Sequence, residues 1–224
     1  MTSLVAVILA GGRSSRMGRD KALISVGEET LIQRTCRIAL QCTDRVYVVT
    51  PWPDRYRPAV PNTVDFIAEV PSPGQAGTFQ GPLMALITAL SVLQARPEQP
   101  PAWVLALACD MPNLSAAVLS NWRNQLDNLE PQYLAYLPKC QQRWEPLCGF
   151  YRVAALESLK QYADTGRRSL QTWLNQQTIP GRILVSSRFQ NASRIASIPD
   201  IDEAMFANVN TPSDLAKWQK TRDS

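Results

Sequence analysis

The 224-residue chain contains no histidine. That absence removes Ser-His-Asp hydrolysis, histidine metal cages and any histidine general base. An enzyme built from this chain works by positioning, through a carboxylate-held metal, or with lysine and arginine. Five cysteines, at 36, 42, 109, 140 and 148, form no C-x-x-C pair, and their odd number argues against a full disulfide framework. No apolar run approaches the length of a membrane span, and the first one is too short, and too soon followed by arginines, for a signal peptide. Basic runs of the kind that line a nucleic-acid surface are missing, and the net charge of +4 suits a small anionic ligand instead. Internal repeats, low-complexity tracts and clear linkers are also missing. The expectation is one domain over residues 1–224, in the cytoplasm, with neither membrane nor nucleic acid as a partner.

What is present is concentrated near the start. The apolar run 4–10 stops at Gly11-Gly12, and the loop beyond carries Arg13, Arg16, Arg19 and Lys21. A short run rich in valine and isoleucine reads as a buried strand of a parallel sheet. Adjacent glycines let the main chain approach a ligand closely, and successive N–H groups with basic side chains make an anion-binding concavity. The loop is neither a G-x-x-x-x-G-K-[ST] phosphate loop nor a G-x-G-x-x-G turn. A tight strand-to-helix turn with a solvated basic face would share its composition.

Further along, residues 31–40 read as a helix capped by Thr30, and 45–50 as a second strand ended by Pro51 and Pro53. Strand, helix and strand at this spacing make a βαβ unit with a parallel pair. Val64 to Ala68 is a third strand, leading into a Gly- and Pro-rich loop over 69–81. Gly81-Pro82-Leu83 then opens a helix through Leu93 with proline at its first position. Trp103 to Ala108 is a strongly apolar strand ending at Cys109-Asp110-Met111-Pro112. A carboxylate just past such a strand can hold Mg²⁺ together with substrate phosphates, or can cap a helix over 113–126. Strands are expected at 133–137 and 146–152, and helices at 153–162 and 169–174, with Gly166-Arg167-Arg168 before the last. Residues 182–200 are polar and give no element. Near the end, Thr211 caps a final helix through Lys220, while Asn208 and Asn210 alternate on a short strand and share one face.

The full loop pattern, Leu9-Ala10-Gly11-Gly12, Ser14, Arg16-Met17-Gly18 and Asp20-Lys21, resembles the signature of the molybdenum cofactor guanylyltransferase family. The resemblance continues in order through Gly81-Pro82-Leu83, Cys109-Asp110-Met111-Pro112, residues 143–151, Gly166-Arg167-Arg168 and Asn208-Val209-Asn210-Thr211-Pro212. It implies a three-layer, Rossmann-like α/β nucleotidyltransferase fold with a mostly parallel central sheet. It also implies transfer of GMP from GTP to the phosphate of molybdenum-bearing molybdopterin, with release of pyrophosphate. Leu9, Ala10, Gly11 and Gly12 would then line the GTP site with Thr50, Glu69 and Gly81. Lys21 and Arg16 would neutralise phosphate charge, and Asp110 would hold Mg²⁺. In the C-terminal part, Asn208, Asn210 and one arginine of the pair, assigned to Arg168, would face the pterin substrate. Partners in such a role are GTP, molybdenum-molybdopterin, and molybdopterin-synthesis proteins or chaperones of acceptor molybdoenzymes.

Two positions depart from the family pattern. Thr50 stands where the family often has asparagine, and Glu69 where aspartate is commoner. Gly11 replaces the alanine usual in cytidylyltransferases and points towards guanine. Three alternatives stay open on the sequence: a pterin cytidylyltransferase, a sugar-phosphate nucleotidyltransferase, and a non-catalytic nucleotide or pterin carrier.

Overall fold

The computed structural model describes residues 2–11, 20–69, 81–96, 99–177, 194–199, 201–209 and 211–222. The apolar runs become strands of one sheet, and the segments between them become its helices. In chain order the elements are β1 (Leu4–Leu9), a short hairpin of β2 (Ser25–Val26) and β3 (Glu29–Thr30), α1 (Leu31–Leu40) and β4 (Val46–Thr50). Then come α2 (Pro53–Tyr56), β5 (Val64–Ala68), α3 (Pro82–Gln94), β6 (Trp103–Ala108) and α4 (Ala116–Arg123). The remainder holds β7 (Ala135–Cys140), β8 (Arg143–Trp144), β9 (Cys148–Arg152), α5 (Leu156–Asp164), α6 (Leu170–Gln177), β10 (Ile195–Ile198) and α7 (Pro212–Arg222).

The sheet runs β10-β7-β9-β6-β1-β4-β5, with β8 paired to β7 off that path. Strands β5, β4, β1 and β6 are mutually parallel. Antiparallel pairing of β9 with both β6 and β7 makes β9 the one reversed strand on the path. Val5 and Val7 of β1 pack on one side with α3, α5 and α6, while Ala6 and Ile8 pack on the other with α1 and α4. Both faces of the central strand are therefore covered, which is why β1 reads as unbroken apolar sequence rather than an alternation. The result is the expected three-layer α/β arrangement. A third cluster, Ile24, Val26, Leu31, Val209 and Leu215 with Trp218 against it, fastens α7 to the β2–β3 hairpin. Among the described residues, no helix is long and apolar enough to cross a membrane.

Helix α1 starts where Thr30 Oγ1 accepts from Gln33 N–H and Gln33 Oε1 accepts from Thr30 N–H, a full capping box. At the other end of the chain, Thr211 and Asp214 form the same reciprocal pair ahead of α7.

Four expectations are corrected. The helix expected over 113–126 is only Ala116–Arg123, capped by Ser115. Asn113 lies ahead of that cap, with its side chain bound to Ala204 and Trp218. The first of the mid-chain strands runs on to Cys140, since Pro138 has no N–H to lose and its carbonyl accepts from Glu145. The polar stretch 182–200 supplies β10, which pairs in parallel with β7. Lastly, Asn208 lies on no strand; the segment leaves a tight turn at Glu203–Phe206 in a single extended step.

Candidate active site at the carboxyl edge of the sheet

In an open α/β sheet, ligands bind beyond the carboxyl ends of the strands, where the winding reverses. Here that place is fixed by register. Leu9, the last residue of β1, pairs with Ala108, the last of β6. From β1 the chain goes outward to β4 and β5, then returns across the sheet to β6, so the switch point lies between β1 and β6. Residues 10 and 11 and residues 109 and 110 emerge there side by side.

Asp110 leaves β6 with its carboxylate about a quarter exposed, and burial raises its pKa above the ordinary carboxylate value, against the opposing pull of Lys21. The Lys21 ammonium stands 3.8 Å from Asp110 Oδ2. That is longer than the roughly 2.7–2.9 Å of a charge-assisted hydrogen bond, so the two charges face one another without locking together. With Ser115 capping α4, the Asp110 side chain is not consumed by a helix end. Among the described residues, no group of three or more Asp, Glu, Cys or His could cage an ion. Asp110 could hold a divalent cation together with phosphate oxygens, the manner of binding that suits Mg²⁺.

On the β4 side, Ala10 N–H donates to Val49 O at 2.9 Å, and Glu69 N–H donates to Thr50 O at 3.0 Å. Gly11 is packed so tightly that an added Cβ would lie 2.7 Å from Pro51 Cδ and 3.0 Å from Glu69 Oε1. Packing alone therefore demands glycine at 11, whatever the base preference. Burial lifts the Glu69 carboxyl to about 7. Thr50 is fully buried, and its hydroxyl accepts from Trp52 N–H at 3.2 Å. Its contribution beside Gly11 and Glu69 is made by backbone.

Gly81 sits at φ 81°, a conformation favouring glycine, and Pro82 follows at the first position of α3. Among the described residues no side chain caps that helix, whose amino end lies at the carboxyl edge because α3 leads from β5 back to the start of β6.

The terminal segment reaches the same place. Val209 N–H donates to Asp110 O at 2.9 Å, which sets the exposed Asn208 next to the aspartate. Asn113, three residues on, donates to Ala204 O at 2.9 Å and accepts from Trp218 Nε1 at 2.7 Å. Arg168 lies in the connection between α5 and α6. Its Nη1 donates to Ala163 O at 2.7 Å and Arg167 O at 2.8 Å, at the carboxyl end of α5. Gly12, Arg16 and Asn210 lie outside the described residues.

One group that sequence reasoning passed over is Asp20. Its Oδ1 accepts from Ala22 N–H, closing the turn Lys21–Leu23, and its Oδ2 accepts from Tyr56 and Arg55. The signals for it in the sequence are its adjacency to Lys21 and its place in the loop pattern. The five cysteines are free thiols, and Cys36, Cys42 and Cys148 are buried.

Residues 6–180 match the model of the MobA-like NTP transferase domain. A protein of Nostoc sp. named "Probable molybdenum cofactor guanylyltransferase" is 40% identical over 98% of this chain and 92% of its own length. A Synechococcus elongatus protein of the same name is 37% identical, covering 97% of each chain. Among solved structures, molybdopterin-guanine dinucleotide biosynthesis protein A of Archaeoglobus fulgidus superposes with a TM-score of 0.70 over 98% of each chain at 19% identity. A cytidylyltransferase of Leptospira borgpetersenii gives 0.71 over 98% of this chain and 86% of that one at 12% identity, a likeness of fold alone. A Mycobacterium tuberculosis protein solved in complex with manganese gives 0.65 at 15% identity, covering 98% of this chain and 100% of that one. The Lys21–Asp110 pair at a β1–β6 switch point thus sits in a chain that belongs to the MobA-like NTP transferases and, within them, to the molybdenum cofactor guanylyltransferase family.

Proposed function

We propose that this protein transfers GMP from GTP to the terminal phosphate of molybdenum-bearing molybdopterin, giving the guanine dinucleotide form of the cofactor and pyrophosphate. The observation that carries this reading is the meeting of Lys21, Asp110 and the Asn208 segment at one edge of the sheet. A donor nucleotide and an acceptor phosphate must both reach such a centre, and the curated relatives bear the corresponding name.

The acceptor is a phosphate monoester, largely ionised near neutral pH because its second pKa is about 6. Its oxygen attacks the α-phosphorus of GTP, a new P–O bond forms, and the bond to the β-phosphate oxygen breaks to release pyrophosphate. No proton has to be removed from the nucleophile, so a chain without histidine suffices. Catalysis then consists of orientation and charge stabilisation. Lys21 and Arg16 neutralise charge on the phosphates. Asp110 would hold Mg²⁺, which would supply positive charge against the phosphates. The backbone of Leu9, Ala10, Gly11 and Gly12, with Thr50, Glu69 and Gly81, lines the nucleotide.

The whole chain acts as one domain, its N-terminal part taking GTP and its C-terminal part the pterin through Asn208, Asn210 and Arg168. Use of Arg168 requires its guanidinium to leave the carbonyls of Ala163 and Arg167. The product would pass, in the cytoplasm, to acceptor molybdoenzymes or their chaperones.

The test is calorimetry of GTP, CTP and ATP on the purified chain with and without Mg²⁺. Preference for GTP that strengthens with Mg²⁺ supports the proposal. Tighter CTP binding replaces it with a cytidylyl activity, and binding of none of the three removes the nucleotide site.

A further inference from the structure

Asp20 does more than a cap requires. A capping carboxylate needs one oxygen, and Asp20 Oδ1 serves Ala22 N–H at 3.1 Å. Its Oδ2 is engaged across the fold, accepting from the Tyr56 hydroxyl at 2.7 Å and from Arg55 Nη1 at 3.1 Å. Tyr56 is 1% exposed, and the Arg55 guanidinium lies over the Trp52 ring at 4.4 Å. Burial and the adjacent Asp20 raise the phenol's pKa, so it remains a proton donor. The short helix α2 beyond β4 therefore holds, through one carboxylate, the turn that begins at Lys21.

Two consequences converge on Lys21. The backbone from which its side chain springs is fixed in place, and the nearby negative charge of Asp20 is matched by Arg55 and Tyr56. The Lys21 ammonium faces Asp110 at 3.8 Å. We propose that Asp20, held by Tyr56 and Arg55, is a positioning residue that sets Lys21 for the nucleotide phosphates. This inference rests on the reading of Lys21 as a phosphate-binding group.

The experiment is a double-mutant cycle on the affinity of the full-length protein for GTP with Mg²⁺, measured by calorimetry. Tyr56→Phe keeps the ring and removes only the hydroxyl. A hydrogen bond to a charged group corresponds to roughly a tenfold change or more in an equilibrium constant. Tyr56→Phe is expected to weaken GTP binding about tenfold in the native background and less than about twofold in Lys21→Ala, because its effect runs through Lys21. An equal loss in both backgrounds overturns the inference, since the hydroxyl would then act on the site independently of Lys21. No loss in the native background overturns it too.

Should Tyr56→Phe unfold the protein, Arg55→Met carries the same cycle from the other donor and is read in the same way. A native chain that binds no GTP sinks both this inference and the proposed function. Native binding with an additive cycle sinks the inference alone.

Discussion

The backbone N–H of Val209 donates to the backbone carbonyl of Asp110 at 2.9 Å. This bond joins the terminal segment to the loop that carries the proposed metal-holding carboxylate. The side of the protein assigned to the acceptor and the side assigned to GTP are thus fastened at one residue.

Asn208→Ala is expected to weaken binding of the pterin substrate about tenfold, the scale of one or two lost hydrogen bonds. Affinity for GTP should stay within twofold, roughly, because Val209 keeps its backbone bond. Equal losses for both ligands would assign Asn208 a structural role.

Asp110→Ala is expected to lower turnover by about 10²–10³-fold, the loss typical of removing one group that stabilises transition-state charge. The unfolding midpoint should hold or rise, since a carboxylate whose burial raises its pKa is costly to keep charged. Turnover assays with Mg²⁺ and a urea titration check both halves. Retained activity would remove Asp110 from the site.

Gly11→Ala puts a methyl group 2.7 Å from Pro51 Cδ, part of a ring that cannot swing aside. Overpacking of this kind costs about 1–3 kcal/mol. A lowered unfolding midpoint with weakened nucleotide binding is expected. An unchanged midpoint would show that the β4 connection yields.

Glu69 gives a pH dependence with a definite sign. Its carboxyl titrates near 7 in the folded protein, against an ordinary value of 4.5, because burial disfavours the charged form. The folded chain keeps this proton where the unfolded chain has lost it. The resulting stability is fully present below pH 4.5 and is lost as pH rises through about 7. Glu69→Gln should therefore stabilise the protein more at pH 8 than at pH 5, relative to the native chain, in urea titrations. A constant difference at the two pH values would contradict the burial of Glu69.

Much of this architecture was legible in the sequence because it rests on local physics. Strands β5 and β6 begin and end at the residues expected of them, and Thr30, Pro82 and Thr211 mark helix starts by their own chemistry. Asp110 was expected at the carboxyl edge from its place just past a buried strand, and it lies there. What escaped depends on contacts distant in the chain. Tyr56 meets Asp20 from 36 residues away, and no pattern around either residue announces it. Strand β10 is four residues long and gains its place from β7 rather than from its own composition. The helix after Pro112 starts only at Ala116 because Ser115 caps it, and Asn113, ahead of the cap, ties to Ala204 and Trp218, 91 and 105 residues away.

The central claim is guanylyl transfer, and the most direct measurement follows the α-phosphate. Purified protein is incubated with molybdenum-bearing molybdopterin, Mg²⁺ and GTP labelled at that phosphate, with equally labelled CTP in a parallel reaction. The account predicts label in the pterin dinucleotide from GTP, pyrophosphate released in equal amount, and little or no transfer from CTP. Efficient transfer from CTP, or GTP bound without label ever reaching the pterin, would contradict it.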